Sequence, residues 1–100
     1  MPYDMTVALL VTDRDKYAKY RTEIAPLLQE SGAAFRYDFE IAKTLKSEAS
    51  HEINRVFVLC FPDRESKEGF FANPEYKAIR ARLFERSVQA ATVIAEPAED

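Results

Sequence analysis

The run Arg55–Phe61 is apolar at every position after the first, and Pro62 ends it. Side chains alternate between the two faces of an extended strand. A strand with this composition is therefore apolar on both faces, as is typical of strands that are buried on both sides. The run 6–12 has the same character. In the run Arg55–Phe61, one face of the strand would carry Val56, Val58 and Cys60, and the other would carry Phe57, Leu59 and Phe61.

Two helical segments are predicted, one after each of these strands. The first follows Asp13, a good N-cap, and ends at Ser31-Gly32. Pro26 lies inside this segment, where it removes one backbone hydrogen bond, so we expect the helix to break into two pieces near it. The second follows Asp63 and restarts at Asn73, which precedes a proline suited to the first helical position. It too should consist of two pieces.

Two more strands complete the pattern. Between 35 and 41, aromatic and aliphatic residues alternate with charged ones, which predicts a strand with one apolar and one polar face. Residues 43–54 are polar and should form a long hairpin connection, and 91–95 should form a short last strand. We expect residues 1–96 to be one domain and 97–100 to be a flexible tail. The order β-α-β-β-α-β predicts an α+β ferredoxin-like fold, with a four-stranded antiparallel sheet and both helices on one face.

The open face of such a sheet would expose the apolar side chains of its two central strands. Soluble monomers seldom expose an apolar patch of several hundred Å². A second copy of the same sheet is the simplest cover, because most soluble oligomers are symmetric dimers. We therefore predict a homodimer that forms through the face opposite the helices.

Composition excludes several classes of function. The net charge of -3 comes from acidic and basic residues mixed along the chain, so we expect no nucleic-acid partner. No apolar run approaches the roughly 20 residues that cross a bilayer, and the start lacks the pattern of a signal peptide. We expect a cytoplasmic protein without a membrane partner. Two glycines cannot form a Gly-rich phosphate loop, and His51 with Cys60 lacks a zinc-like spacing, so we expect neither cofactor nor metal.

Two segments of the second half, Phe-Pro-Asp-Arg-Glu at 61–65 and Asn-Pro-Glu-Tyr-Lys-Ala-Ile-Arg at 73–80, resemble the bacterial domain of unknown function 1330 family. The opening Val-Thr-Asp at 11–13, with the helix that follows it, is similar to the same family. The resemblance implies the dimeric α/β-barrel superfamily, in which ferredoxin-like protomers pair through their sheets. It implies no activity, because that of the family is not established.

Two tyrosine–arginine pairs are candidate ligand-binding residues. Tyr17 and Arg21 are four positions apart on the first helix, and Tyr76 and Arg80 are four apart on the second, so each pair shares a helix face. If the helices pack side by side, these residues and Tyr20 could line one cleft, where arginine would bind a carboxylate. Alternatively, the tyrosines belong to the core, and the arginines extend along the helix edges with their charged ends in water.

Two other side chains have alternative interpretations. His51 is the default general base, because histidine is the side chain that most often does acid–base catalysis, although a lone histidine in a polar segment is more often merely solvated. Cys60 is interpreted as a small buried hydrophobe, with a reactive thiol as the alternative.

Two functional hypotheses follow. In the first, which the resemblance to the dimeric α/β-barrel superfamily implies by analogy, the protein binds or transforms a small aromatic or carboxylate-bearing metabolite without a cofactor. In the second, it is a non-enzymatic dimeric module for ligand sensing or scaffolding. Whether it is an enzyme stays open. A cavity with convergent polar groups would favour the first hypothesis, and a filled core would favour the second.

Overall fold

The computed structural model describes residues 1–98 as a four-stranded antiparallel sheet with helices packed on one face. The sheet order is β2-β3-β1-β4, which confirms the ferredoxin-like topology. The elements along the chain are β1 Tyr3–Val11, α1 Arg14–Glu30, β2 Ala34–Glu40, β3 Arg55–Phe61, α2 Arg64–Ala72, α3 Pro74–Ile79, a π-helical turn Arg80–Phe84, and β4 Val88–Ala95.

The core lies between the helices and one face of the central strands. In β1 every second residue, from Tyr3 to Val11, is buried. The residues paired with them on β3 are buried as well, since Met5 lies opposite Leu59 and Val7 opposite Phe57. The helices contribute to this core Tyr17, Tyr20, Ile24, Leu27 and Leu28 from α1, Phe70 from α2, and Tyr76 and Ile79 from α3.

The expected break in the first helix does not occur. Helix α1 begins after Asp13, whose side chain accepts a hydrogen bond from the Lys16 amide at 3.0 Å, and it runs through Pro26 to Glu30. Pro26 is exposed, and so is Thr22, whose carbonyl loses its partner because proline has no N–H. Water can reach this carbonyl, so the helix continues. The second helical segment is divided at Asn73, as predicted.

Strand β2 differs from the predicted simple alternation. A register shift lies between Phe35, which pairs with Leu59, and Tyr37, which pairs with Val58. Paired residues share a face, so Phe35 faces the helices whereas Tyr37 faces away from them. The prediction of one wholly apolar and one wholly polar face was therefore wrong, because an extra residue in the strand reverses the alternation after Phe35.

The ends of the predicted elements also shift. Strand β4 begins at Val88, three residues before the predicted start, and β1 begins at Tyr3. Residues 41–54 form the predicted long connection, and Asn54 holds its end by exchanging two 2.8 Å hydrogen bonds with the backbone of Val11. In the predicted tail, the Ala98 carbonyl accepts a hydrogen bond from Arg64. The flexibility of 97–100 stays a prediction, and 99–100 lie outside the described residues.

The second face of the sheet is open in the single chain. Val56, Val58 and Cys60 are each half-buried there. Tyr37 and Phe39 are 59% and 52% exposed on the same face, and their rings stack with centroids 6.0 Å apart. Cys60 is thus less buried than predicted, because no helix covers this face.

Candidate ligand-binding site

A cavity of about 210 Å³ lies between the helices and the sheet. Its wall is almost wholly apolar and aromatic, and its polar side chains are three tyrosines and one arginine. The residues that line it are Met5, Val7, Leu9, Tyr17, Tyr20, Ile24, Phe35, Phe57, Leu59, Phe70, Phe71, Tyr76, Arg80, Phe84 and Val93. For comparison, an engineered apolar cavity of about 150 Å³ binds benzene. The cavity is therefore large enough for one substituted ring.

Two tyrosine hydroxyls meet at this cavity. The hydroxyl oxygens of Tyr20 on α1 and Tyr76 on α3 are 2.9 Å apart, and both residues are almost completely buried. Burial raises the pKa of both phenols, and the hydroxyl of Tyr76 raises that of Tyr20 further. Phenols that already titrate near 10 in water are then neutral at physiological pH. The pair is a set of uncharged hydrogen-bond groups within an apolar wall.

Arg80 supplies a positive charge at the edge of the same cavity. It lies one helical turn after Tyr76, and its guanidinium opposes the rise in pKa of both Tyr20 and Tyr76. The guanidinium carbon lies 5.0 Å from the centre of the Phe84 ring, and one nitrogen is 3.0 Å from the Glu85 carboxylate. The Arg80 side chain is 45% exposed, so it can contact both a bound molecule and solvent.

A π-helical turn places Phe84 beside Arg80. The Glu85 amide donates to the Arg80 carbonyl at 3.0 Å, which is the i to i+5 bond of a π turn. Tyr76, Arg80 and Phe84, spaced four positions apart, all line the cavity. Such turns are frequent at functional sites.

The other tyrosine–arginine pair has a different environment. Arg21 donates to the Tyr17 hydroxyl at 3.0 Å, as the four-residue spacing suggests, and its guanidinium carbon lies 3.6 Å from the centre of the Phe35 ring. It also donates to Asp38 at 2.9 Å, and Arg55 makes two hydrogen bonds of 2.8 Å to the same carboxylate. Arg21 is thus held in an ion-pair network beside the cavity and does not line it.

The structure brings four of the five candidate residues to one cavity: Tyr17, Tyr20, Tyr76 and Arg80. Phe84 and Asp38 were not anticipated from the sequence. No local signal in the sequence marks the π turn that places Phe84. Asp38 occurs in an alternating strand pattern that gives no hint of its two arginine partners.

His51 and Cys60 lie away from this cavity. The two ring nitrogens of His51 are each 2.7 Å from a partner, one from the Glu52 carbonyl and the other from the Thr92 hydroxyl. Thr92 pairs with Ala8, and Ala8 pairs with Val56 of the open face. His51 therefore lies at the face of the sheet opposite the cavity. The neighbouring Asp4 carboxylate, as acceptor of a hydrogen bond from the thiol, and then burial raise the pKa of the Cys60 thiol, which disfavours a reactive thiolate. Among residues 1–98, no cluster of three or more His, Cys, Asp or Glu side chains could hold a metal ion.

Comparison with known proteins identifies the family. A family model described as "Domain of unknown function (DUF1330)" matches residues 5–97. The chain belongs to this family. No curated protein matches it significantly. Within the described part of the DUF1330 chain, no helix is both long and apolar enough to cross a membrane.

Solved structures share the fold of this DUF1330 chain at low sequence identity. A protein of unknown function from Rhodopseudomonas palustris superposes with a TM-score of 0.81 at 14% identity, over 99% of this chain and 84% of the other. A dabb family protein with a ferredoxin-like fold from Mesorhizobium loti gives 0.66 at 12% identity, over 99% and 97%. A protein from Thermobifida fusca, described as a dimeric ferredoxin-like protein of unknown function, gives 0.60 at 13% identity, over 99% and 92%.

Proposed function

We propose that this protein binds a small carboxylate-bearing aromatic molecule in the cavity between its helices and its sheet. The observation that carries the proposal is a single apolar cavity wall that includes a buried pair of tyrosine hydroxyls and the half-exposed Arg80. A pocket of this kind, apolar with a few convergent polar groups, is the usual form of a small-molecule site. A filled core would have favoured the scaffold hypothesis instead.

The size of the cavity limits the ligand. Sites for drug-sized molecules enclose about 300–1,000 Å³, and this one has a volume of about 210 Å³. A ligand with one ring and a short substituent would fill it. The carboxylate would lie at Arg80, where the guanidinium can bind it and solvent can still reach it.

Thermal melting with a panel of small aromatic and aliphatic carboxylates tests this proposal. A ligand present at a hundred times its Kd stabilises a folded protein by about 2.7 kcal/mol. For a domain of this size such a gain raises the Tm by about 10 °C or more. Arg80→Ala should remove the shift and cost less than about 1 kcal/mol of stability, because the Arg80–Glu85 pair is largely exposed.

Arg82→Ala is the matched control. Arg82 lies two residues further along the same turn, pairs with Glu23 on α1, and does not line the cavity. This variant should keep the full ligand-induced shift. If no acid in the panel shifts the Tm of the unaltered protein, the cavity does not serve this function.

We further propose that the protein is a homodimer that pairs through the open face of its sheet. Support comes from the apolar side chains exposed on that face, notably Tyr37, Phe39 and Ile94, each more than half exposed, and from the dimeric description of the Thermobifida fusca relative.

Light scattering should give twice the 11.5 kDa chain mass at micromolar concentration. The double variant Tyr37→Asp/Phe39→Asp should be a monomer, whereas Ala78→Asp, on the exposed side of α3, should remain a dimer. A monomeric unaltered protein would contradict the proposal.

A further inference from the structure

The Tyr20–Tyr76 pair has one more donor hydrogen than its own hydrogen bond uses. One hydroxyl donates to the other across 2.9 Å, and the accepting hydroxyl keeps its hydrogen, since each tyrosine is both donor and acceptor. The polar neighbours along the cavity wall do not take up this hydrogen. Arg80 has no acceptor atom, and no hydrogen bond joins Tyr17 to the pair among the described residues.

A donor that faces an apolar wall without an acceptor costs about 1–3 kcal/mol. The group that relieves this cost must offer a lone pair. It should also be uncharged, because a carboxylate placed deep in an apolar cavity would lose its hydration. The charged end of a ligand belongs instead at the half-exposed Arg80, one helical turn from Tyr76. A neutral oxygen acceptor and a carboxylate would therefore be neighbours in the bound molecule.

We propose that the ligand is an aromatic α-keto acid, whose keto oxygen accepts a hydrogen bond from the Tyr20–Tyr76 pair while its carboxylate binds Arg80. The aromatic ring lies against the phenylalanine and aliphatic side chains of the cavity. This assignment rests on the proposed function, because it specifies the ligand of the same site.

Two probes of nearly the same shape test the assignment. Phenylglyoxylate carries a keto oxygen next to its carboxylate, and atropate carries a CH₂ group in the same position, which accepts no hydrogen bond. Calorimetric titration should give a Kd for phenylglyoxylate about tenfold lower than that for atropate, the ratio that corresponds to one net hydrogen bond of about 1.4 kcal/mol. The keto stretching band of bound phenylglyoxylate should also shift to lower frequency than in an aprotic solvent.

The double variant Tyr20→Phe/Tyr76→Phe removes both hydroxyls and keeps both rings. Replacing both partners of a hydrogen bond with apolar groups of the same shape is nearly neutral for stability, so this variant should fold. It should bind the two probes equally, and the infrared shift should disappear. Tyr3→Phe is the control, because it removes a buried tyrosine hydroxyl outside the cavity, and it should keep the tenfold preference.

The outcomes separate the two proposals. If neither probe binds the unaltered protein, nor any other aromatic carboxylate, the proposed function fails. If both probes bind the unaltered protein with equal affinity, the α-keto acid assignment is overturned and the proposed function stands. A preference that survives in the double phenylalanine variant also overturns the assignment, because the keto oxygen would then contact another group.

Discussion

Replacing Asp38 with asparagine should destabilise the fold by about 2 kcal/mol, although the residue lies on a strand at the edge of the sheet. Its Oδ1 atom accepts a hydrogen bond from Arg55 at 2.8 Å, and Oδ2 accepts from Arg55 at 2.8 Å and from Arg21 at 2.9 Å. The side chain of Asp38 is only 29% exposed, that of Arg55 24% and that of Arg21 17%. The carboxylate thus neutralises two guanidiniums that have lost much of their hydration.

The magnitude lies between two limits. Exposed ion pairs contribute about 0–1 kcal/mol, and removing one partner of a fully buried pair costs about 3–5 kcal/mol. The intermediate exposure of this cluster, and the one acceptor oxygen that asparagine retains, place the cost near 2 kcal/mol. This corresponds to a Tm lowered by about 8–16 °C.

The effect should depend on pH in a defined direction. The hydrogen bonds from Arg55, assisted by Arg21, hold the pKa of Asp38 below its ordinary value. A carboxyl group whose pKa is lower in the folded state contributes stability above its unfolded pKa of about 3.9. That contribution is lost as the pH falls through the folded value. The difference in Tm between the unaltered protein and Asp38→Asn should therefore be largest near neutrality and should narrow below about pH 4.

Circular dichroism melts at pH 7 and pH 3 measure this difference. The control is Glu40→Gln on the same strand, because Glu40 pairs with Arg14 in a bridge whose side chains are 62% and 77% exposed. It should change stability by less than about 0.5 kcal/mol. Equal melting of Asp38→Asn and Glu40→Gln at pH 7 would refute the claim that the two guanidiniums depend on Asp38.

Other substitutions test the two faces of the sheet and one turn. Leu59→Glu should abolish cooperative melting, because it buries an unpaired charge in the core. Val58→Glu, on the open face, should mainly weaken the dimer, which light scattering would show as a lower mass. Equal behaviour of the two variants would contradict the assignment of faces. Gly32→Ala should cost about 1–2 kcal/mol in urea unfolding, because Gly32 has a φ of 71° and a Cβ there would lie 2.9 Å from the Pro62 ring. Gly69→Ala, where a Cβ meets no atom within 4 Å, should instead stabilise helix α2 by about 0.5–1 kcal/mol. If Gly69→Ala and Gly32→Ala lowered the free energy of unfolding equally, the backbone conformation at Gly32 would not be what requires a glycine.

The strands and helices could be predicted because their signals are local. Continuous apolar runs predict both central strands, and Asp13, Asp63 and Asn73 act as N-caps in the structure as their residue types suggest. The topology follows from the order of elements. The effect of Pro26 was overestimated, because the cost of a lost hydrogen bond depends on whether solvent reaches the carbonyl, and the sequence alone does not show that.

The site was predictable only in part. Four-residue spacing correctly places Arg21 beside the Tyr17 hydroxyl. The hydrogen bond between Tyr20 and Tyr76 joins residues 56 positions apart, so it depends on how two helices pack. The spacing also gave no indication that Arg21 would bind Asp38 instead of lining the cavity.

The bulge in β2 explains why Arg21 binds Asp38, and it also determines which side chains of β2 lie on the open face. Because the strand gains one residue between Phe35 and Tyr37, Phe35 faces the cavity, and Asp38 pairs with Phe57 on the same side. Without the bulge, Asp38 would point away from α1, and Arg21 would lack its counter-charge. The same extra residue turns Tyr37 to the face where we propose that a second copy binds. One irregularity thus holds Arg21 against Phe35 at the cavity wall and supplies an aromatic side chain to the proposed dimer interface.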